Sequence, residues 1–336
     1  MKERVLHLLK ESSPEFISGE FIRRNLGISR TAVWKHIQTL RASGYEIAAL
    51  PHAGYQLLGV PDRLYPEEVH DGLGTEFIGR KVYYYEHAIS TNETARELAD
   101  RGCPDGTLVI AEEQSGGKGR LGRKWFSPYG KGIWFSIILY PPVNPSDAPP
   151  LTMLGAVAVA RAIRKVAHVE AGIKWPNDIL LDGKKICGIL SEMNAEIERI
   201  NYLIIGIGIN ANVEEFPDEL EDTVTSLKKY TGRPVKRTVL LQETLMEIEQ
   251  LYKLWLQNGF QPILHYWKEM CVMLNQMVKV VNGINGIKDI VEGWVEDVDE
   301  HGSLILRLSD GSLKSLVAGD VSLQRGFGEE MIFSIR

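Results

Sequence analysis

Between Gln114 and Trp134 the chain carries five basic residues, Lys118, Arg120, Arg123, Lys124 and Lys131, and no acidic one. The first part reads Gln114-Ser115-Gly116-Gly117-Lys118-Gly119-Arg120-Leu121-Gly122-Arg123-Lys124-Trp125-Phe126-Ser127-Pro128. Like charges repel and glycines loosen the backbone, so this loop is expected to gather only around an anion that attracts its N–H and guanidinium groups. The ligand chemistry implied is phosphate. Gly117-x-Gly119-x-x-Gly122 has the letters of a dinucleotide fingerprint, but Trp125, Phe126, Pro128 and a strand over Ile133–Tyr140 follow it instead of a helix. A Walker A loop fails as well, because Arg123-Lys124 follows Gly122 where Lys-Ser/Thr is needed. Gly206-x-Gly208 also lacks a helix behind it.

A second cation sits in a hairpin. Ile173-Lys174-Trp175-Pro176-Asn177-Asp178-Ile179-Leu180-Leu181 runs into an Asp182-Gly183 turn and returns as Lys184–Leu190. Strict alternation puts Lys185, Cys187 and Ile189 on one face, with Lys184, Ile186 and Leu190 on the other. Both faces are largely apolar. Lys185 therefore either snorkels or holds its ammonium toward a charged or carbonyl ligand group. Gly188 lets a ligand approach the backbone. Elsewhere, Ser90-Thr91-Asn92-Glu93 precedes Ala95, Leu98 and Ala99, so Ser90 or Thr91 caps a helix whose start is a polar site. The apolar strand Leu203–Asn210 ends in an amide.

These groups need a scaffold. The chain has 336 residues, with 44 % hydrophobic and 24 % charged, an ordinary globular composition. At roughly 100–200 residues per domain, two or three domains are expected. Three helices and a hairpin fill residues 1–60. Ser18 caps the second helix, Gly27 supplies a turn, and Ser29 caps a third helix from Arg30 to about Ser43. In it Val33, Ile37 and Leu40 face inward, while Arg30, Thr31, Trp34, Lys35 and Gln38 face outward. Tyr45–Leu50 and Tyr55–Leu58 form a wing. This is the layout of a winged helix-turn-helix, with Arg23, Arg24 and Arg41 placed for phosphates. The alternative is a helical docking module with a solvated face. Residues 1–60 carry eight Lys/Arg against five Asp/Glu, a charge of +3, and the remainder 30 against 39, or −9. The head is thus the candidate for nucleic acid, and one head reads only a half-site. Residues 58–62 read as a linker and Pro66 as the start of a helix.

Leu151–Val166 reads as a buried helix and Val239–Gln257 as an amphipathic one. Short strands from Met277 onward suggest a small SH3-like barrel. The expected class is α+β, in three domains: 1–60, 61–272 and 273–336. The odd cysteines Cys103, Cys187 and Cys271 form no CxxC, which argues against a disulfide scaffold or zinc site. With no signal-peptide pattern or membrane-length apolar run, a cytoplasmic protein is expected.

Five ordered motifs give the chain a strong resemblance to the biotin–protein ligases, of the bifunctional kind that also repress biotin synthesis genes. They are Ser90-Thr91-Asn92; Gln114 with the Gly117–Arg123 loop and Trp125-Phe126-Ser127; Lys174–Asp178; Lys185–Leu190; and Gly206–Asn210. The resemblance implies a central mixed sheet and a reaction joining biotin to ATP. Biotinyl-5′-AMP is then passed to a lysine of a biotin carboxyl carrier protein. It implies Lys185 as the central catalytic cation, with Arg120 and Arg123 assisting. Biotin would meet Ser90, Thr91, Asn92, Gln114, Lys118, Gly119, Arg120, Lys185 and Gly188. The adenylate would meet Lys118, Arg120, Arg123, Trp125, Asn177 and Asn210, with Trp125 against the adenine. Magnesium would ride on the phosphates, near Asn177 and Asp178, with no resident metal site. Operator DNA would meet Ser18, Arg23, Arg24, Ser29, Arg30, Thr31, Trp34, Lys35 and Gln38, and adenylate would promote a homodimer through a sheet edge. The family loop usually has arginine at Lys118, and some relatives carry arginine at Gln324, with Arg325 next here. A biotin-sensing repressor without ligase activity and a lipoate-type ligase of the same fold are the competing readings.

The loop argument makes a prediction. Trypsin is expected to cut within Ser115–Lys124 in the free protein and to be blocked when biotin and ATP are both present; equal cutting in the two states rejects ordering around a ligand.

Overall fold

The computed structural model describes residues 1–148, 151–284 and 287–323. Gln324 and Arg325 lie outside them. The chain divides into two compact units, Met1–Arg63 and Leu64 onward.

The first unit holds α1 (Lys2–Ser12), α2 (Gly19–Leu26), α3 (Arg30–Ala42), β1 (Glu46–Leu50) and β2 (Gly54–Gly59). The Ser18 hydroxyl accepts from the Phe21 amide at 3.0 Å and that of Ser29 from the Ala32 amide at 3.1 Å. Each satisfies an amide that the first helical turn leaves without an intrahelical partner. Gly27 ends α2 in the left-handed region. Val5, Leu6, Leu9, Ile22, Val33, Ile37 and Leu40 form the core. Gly54, at φ 112°, is required where the wing meets the body: a Cβ there would stand 2.1 Å from the Ile17 carbonyl oxygen. One expectation is corrected. Arg41 is not offered to phosphate; its guanidinium donates to the Ile47 carbonyl at 3.0 and 2.6 Å and ties α3 to the wing.

The second unit begins with α4 (Pro66–His70), β3 (Val82–Ala88), α5 (Thr91–Asp100), β4 (Thr107–Gln114), β5 (Ile133–Leu139) and α6 (Leu151–Ala167). It continues through β6 (Gly172–Lys174), β7 (Asp178–Leu181), β8 (Lys184–Ala195), β9 (Ile200–Ile209), α7 (Leu227–Thr231), α8 (Arg237–Asn258) and α9 (Gln261–Met270). It ends with β10 (Met277–Ile284), β11 (Ile287–Val298), β12 (Leu304–Arg307), β13 (Leu313–Leu316) and β14 (Asp320–Leu323). The large sheet has the order β3-β4-β5-β9-β8-β7-β6. Only β3 and β4 pair in parallel; the other neighbours are antiparallel. Asp182 and Gly183 both have positive φ, as the two-residue β7–β8 turn requires.

Alternation on β9 decides which face does what. Leu203, Ile205, Ile207 and Ile209 enter the main core with α6 and α8, whereas Tyr202 and Ile204 join a smaller cluster with Ala95 and Ala99 of α5. Gly206 and Gly208 share the second face by parity. The last five strands form an antiparallel sheet, β13-β12-β11-β10-β14. Its Val278, Val280, Leu304 and Leu306 belong to the main core, so it sits in the same compact unit as the large sheet. The indole of Trp175 donates to the Gly302 carbonyl at 2.9 Å, a second tie between the two sheets.

One ion pair is fully buried. Arg237, the first residue of α8, donates to Glu112 of β4 at 2.9 Å and to the Gly132 carbonyl at 2.9 Å. Both side chains are 0 % exposed. Glu112 also accepts from the Leu64 amide at 2.9 Å, where the unit begins. Removing one member leaves a charge in the core, which costs about 3–5 kcal/mol. Arg237→Met is therefore expected to lower the unfolding free energy measured by urea titration by that amount, with Arg237→Met/Glu112→Gln recovering part of it; a single variant within 1 kcal/mol of wild type (a threshold set by ordinary surface substitutions) would contradict the burial.

Candidate active site

The face of the large sheet away from α6 and α8 carries a floor of glycines. Gly208 pairs with Gly188 on β8 and with Trp134 on β5; Gly206 pairs with Ser136. Side chains from elsewhere fill the space. A Cβ on Gly208 would stand 2.4 Å from the indole nitrogen of Trp125, and one on Gly206 would stand 2.0 Å from Asn92 Oδ1. The Gly-x-Gly of β9, a weak dinucleotide match in the sequence, is thus a clearance for an indole and an amide. Trp125 meets Trp134 edge-on, ring centroids 6.4 Å apart. Its indole N–H is buried without a hydrogen-bond partner.

Lys185 stands at the end of this floor. Its ammonium lies 2.6 Å from Asp178 Oδ1 and 5.1 Å from the Trp125 ring centroid. A Cβ on Gly188 would be 3.2 Å from Lys185 Nζ. The side chain is therefore on the Gly188 face, which corrects the expected alternation. The physical reason is a bulge: β7–β8 pairing steps from Ile179↔Cys187 to Leu180↔Lys185, leaving Ile186 unpaired. Cys187 and Ile189 remain in the main core. Burial pushes the Cys187 thiol well above its ordinary range. The turn after β9 grips Lys185 through its backbone, whose N–H donates to Thr223 and whose carbonyl accepts from Thr225, both at 2.9 Å. Lys174, paired across the β6–β7 turn with Asp178, is a cation to which the sequence reading gave no role. Burial lowers its pKa, against the pull of Asp178.

The basic loop is folded, contrary to the expectation that it could not pack on itself. Lys118 bridges Lys124, the Gly119 amide donates to Arg123 at 2.8 Å, and the Trp125 amide to Gly117 at 2.9 Å. Leu121 takes a left-handed conformation at the tip and is 74 % exposed. Repulsion is relieved because the cations diverge toward separate acceptors. Lys118 meets Glu93 at 2.6 Å, Arg120 donates to the Gly319 carbonyl at 3.4 Å, and Arg123 pairs with Asp320. Burial pushes the Arg120 guanidinium down, with Asp320 and Asp178 opposing. Asp320 lies nearly two hundred residues from Arg123 in the chain, and no sequence pattern announces it.

At the other end of the floor is a closed polar network. Gln114 Oε1 accepts from the Thr91 amide at 2.8 Å and hydroxyl at 3.1 Å, and its amide nitrogen donates to Ser127 at 3.0 Å. The buried Ser136 hydroxyl lies 2.8 Å from Thr91 Oγ1 and 2.6 Å from Asn92 Oδ1. Asn92 in turn donates to Glu192 at 3.1 Å, and Glu192 pairs with Arg96. Ser90, Thr91 and Asn92 are buried. Ser136 and Glu192 are members that the sequence reading missed; a lone serine in the apolar run of β5 was the available signal.

Asn177 and Asn210 are placed differently. Asn177 donates to the Ile189 carbonyl and Asn210 to the Thr225 carbonyl at 3.1 Å, and both side chains are buried. They brace the strands and turn that hold Lys185. Among the described residues no cluster of three His, Cys, Asp or Glu side chains stands ready for a metal ion. The nearby carboxylates, Asp178 and Asp320, already face cations. Among the described residues, no helix is long and apolar enough to cross a membrane.

In the first unit Ser18 and Ser29 serve as helix caps. Arg23 and Arg24 each approach Glu20 at 2.8 Å, and Arg30 at 3.4 Å. Hydrogen bonds from Arg23 and Arg24 pull the Glu20 carboxyl down to about 2. Thr31, Trp34 and Lys35 are exposed and Gln38 is half-buried.

Comparison with known proteins agrees with this layout. Residues 86–210 match the Biotin/lipoate A/B protein ligase family, residues 2–56 an HTH domain, and residues 274–324 the Biotin protein ligase C terminal domain. The bifunctional ligase/repressor BirA of Bacillus subtilis is 40 % identical over 96 % of this chain and 98 % of its own length. Its Escherichia coli counterpart is 32 % identical over 92 % of this chain and 94 % of its own. A solved biotin protein ligase from Aquifex aeolicus, in complex with biotin and ATP, superposes with a TM-score of 0.64 at 28 % identity, covering 74 % of this chain and all of that one. With such identity sustained over nearly its whole length, the chain belongs to the biotin protein ligase family, in the group that carries a helix-turn-helix and is named for both ligase and repressor activity.

Proposed function

We propose that this protein is an ATP-dependent biotin–protein ligase that forms biotinyl-5′-AMP, transfers biotin to a lysine of a biotin carboxyl carrier protein, and acts as a repressor of biotin synthesis genes through its helix-turn-helix. The observation that carries the reading is the Lys185 ammonium, fixed by Asp178 at 2.6 Å on the glycine face beneath a basic loop. Joining a carboxylate to ATP brings two anions together. Their repulsion is a barrier that a pre-placed cation in a partly dry site lowers most effectively.

The roles follow from position. Lys185 sits between the biotin carboxylate and the α-phosphate, and Lys174 adds a second positive charge beside Asp178. The carboxylate oxygen attacks the α-phosphorus and pyrophosphate leaves. Arg120 and Arg123 exchange Gly319 and Asp320 for phosphate oxygens, and Lys118 leaves Glu93 to join them. Gly119 at the loop hairpin and Gly188 on the floor let backbone approach the ligand. Ser90, Thr91, Asn92 and Gln114 receive the ureido end of biotin, already oriented by Ser136, Ser127 and Glu192. Trp125 walls the nucleotide side over Gly188 and Gly208, while Asn177 and Asn210 hold the framework. Magnesium accompanies the phosphates and neutralises part of their charge. The closed loop keeps water from the acyl-adenylate. The carrier lysine then attacks the acyl carbon, and AMP leaves.

The same reading gives residues 1–60, 61–272 and 273–336 the roles of DNA-binding head, catalytic body and C-terminal cap that supplies Gly319 and Asp320. Ser18, Arg23, Arg24, Ser29, Arg30, Thr31, Trp34, Lys35 and Gln38 would face operator DNA. The adenylate-bound form would pair through a sheet edge, bringing two heads to two half-sites. The setting would be the cytoplasm, where biotin, ATP and DNA meet.

Two measurements test the catalytic part. Lys185→Ala is expected to cut biotin-dependent exchange of labelled pyrophosphate into ATP by at least about 10²–10³-fold; near-normal exchange removes the assigned role. If wild-type protein shows no exchange at all, a biotin sensor is the better reading, and exchange with lipoate instead of biotin favours a lipoate-type ligase. Gly208→Ala forces a methyl to within 2.4 Å of the Trp125 indole nitrogen. A displacement of that order in a positioning wall costs about a hundredfold in rate, so exchange is expected to fall by about that factor with a shift in tryptophan emission. Unchanged exchange and emission would mean that the clearance has no catalytic purpose.

A further inference from the structure

Phosphate contacts explain the cations of the head but not Trp34. This indole stands 54 % exposed in the middle of α3. The core stripe of that helix is Val33, Ile37 and Leu40, which is buried without help from it. Thr31, Trp34, Lys35 and Gln38 recur at i, i+3, i+4 and i+7. That spacing lines one helix face for two turns, and side chains on a groove-bound helix use it to reach successive base pairs. Three of the four have polar heads. Trp34 is the large apolar member of this face; Phe21, 50 % exposed, lies on α2 and not on α3.

The surroundings select the occupant. Arg24 and Arg30 are 75 % and 82 % exposed, and three guanidinium groups converge on the single carboxylate of Glu20, so the patch is net positive. A polyanion is accommodated there at little desolvation cost, whereas an apolar protein partner would have to bury those cations. On the floor of the major groove the apolar group available to an indole is the C5 methyl of thymine. We propose that Trp34 reads thymine methyl groups in the major groove and so is a specificity-determining residue of the head. The inference rests on the operator-binding reading above.

The test uses the full chain with biotin and MgATP present. A duplex is first enriched from a random library with the wild-type protein. It is then resynthesised with deoxyuridine in place of thymidine, one position at a time, which deletes only the methyl. At one or two positions in each half-site the wild-type Kd is expected to rise about tenfold, the scale of one lost base contact. Trp34→Ala is expected to bind the thymidine and deoxyuridine duplexes alike, with an unfolding midpoint that shows it folded. Trp34→Phe, which keeps an aromatic face, retains the discrimination; it decides the question if the alanine variant does not fold. The proposal is overturned if no position responds to deoxyuridine, or if Trp34→Ala discriminates as well as wild type. Failure to enrich any duplex overturns the operator reading itself, and the inference falls with it.

Discussion

A primary ammonium held against a packed sheet needs a carboxylate partner and a way out of the core, and the catalytic unit is arranged around both needs at Lys185. The partner is Asp178 at 2.6 Å, on the neighbouring strand. The way out is the bulge at Ile186, which turns Lys185 to the face of Gly188 while Ile186, Cys187 and Ile189 stay in the core. Were the strand to run through Ile186 without the bulge, alternation would put Lys185 on the face of Cys187 and send the ammonium toward the core, where an unpaired charge costs several kcal/mol. The backbone bonds from Thr223 and Thr225 pin the bulged segment from its other side. In the proposed reaction the cation would thus be in place before biotin and ATP arrive, and a preorganised charge needs no rearrangement when negative charge develops.

The glycines of β8 and β9 make the second half of the same arrangement. A sheet face bearing large side chains would be filled by them. Here Gly188, Gly206 and Gly208 leave room above the sheet, which Trp125 occupies at one end and Asn92 at the other. Aromatic and amide walls can be positioned by loops and helix starts without disturbing strand register. Ser136 belongs to the same logic, since its small hydroxyl links Thr91 and Asn92 where a larger residue would block the floor. The wall groups and the cation therefore occupy one face, and α6, α8 and α9 stabilise the other.

Local patterns made much of this legible. Ser18, Gly27 and Ser29 mark their helix boundaries by capping chemistry, and Asp182-Gly183 marks its hairpin by the φ values it must adopt. The basic loop and Lys185 stood out because charge is costly without a partner. What stayed hidden was long-range. Asp320 and Gly319 come from the far end of the chain to meet Arg123 and Arg120, and Glu93 meets Lys118 across a loop. The sequence shows the like charges of the loop but not the acceptors that offset their repulsion, so the loop packs where the charges alone predict that it would not. The bulge was illegible for a related reason: alternation predicts faces only while register holds, and the backbone partners that break it, Thr223 and Thr225, are remote. Arg41 looked like a phosphate contact because its charge is visible in sequence and the Ile47 carbonyl that takes it is not.

The helix-turn-helix shows the same economy of charge with a different consequence. Three arginines around Glu20 give a local excess of two positive charges if all four groups are ionised, and the depressed carboxyl keeps Glu20 anionic at any physiological pH. Glu20 thereby fixes the guanidinium groups in place while cancelling part of their pull. Nonspecific attraction to DNA scales with the phosphates neutralised, so a head that cancels some of its own charge binds random duplex less tightly. Base contacts such as the one assigned to Trp34 are unaffected by that cancellation, so specific and nonspecific binding weaken together while the discrimination between them is kept. A weak and selective half-site reader gains most from being doubled, because linking two such heads turns the second contact into an intramolecular event. In the proposed repressor, control by adenylate-dependent pairing thus follows from how little one head can hold by itself.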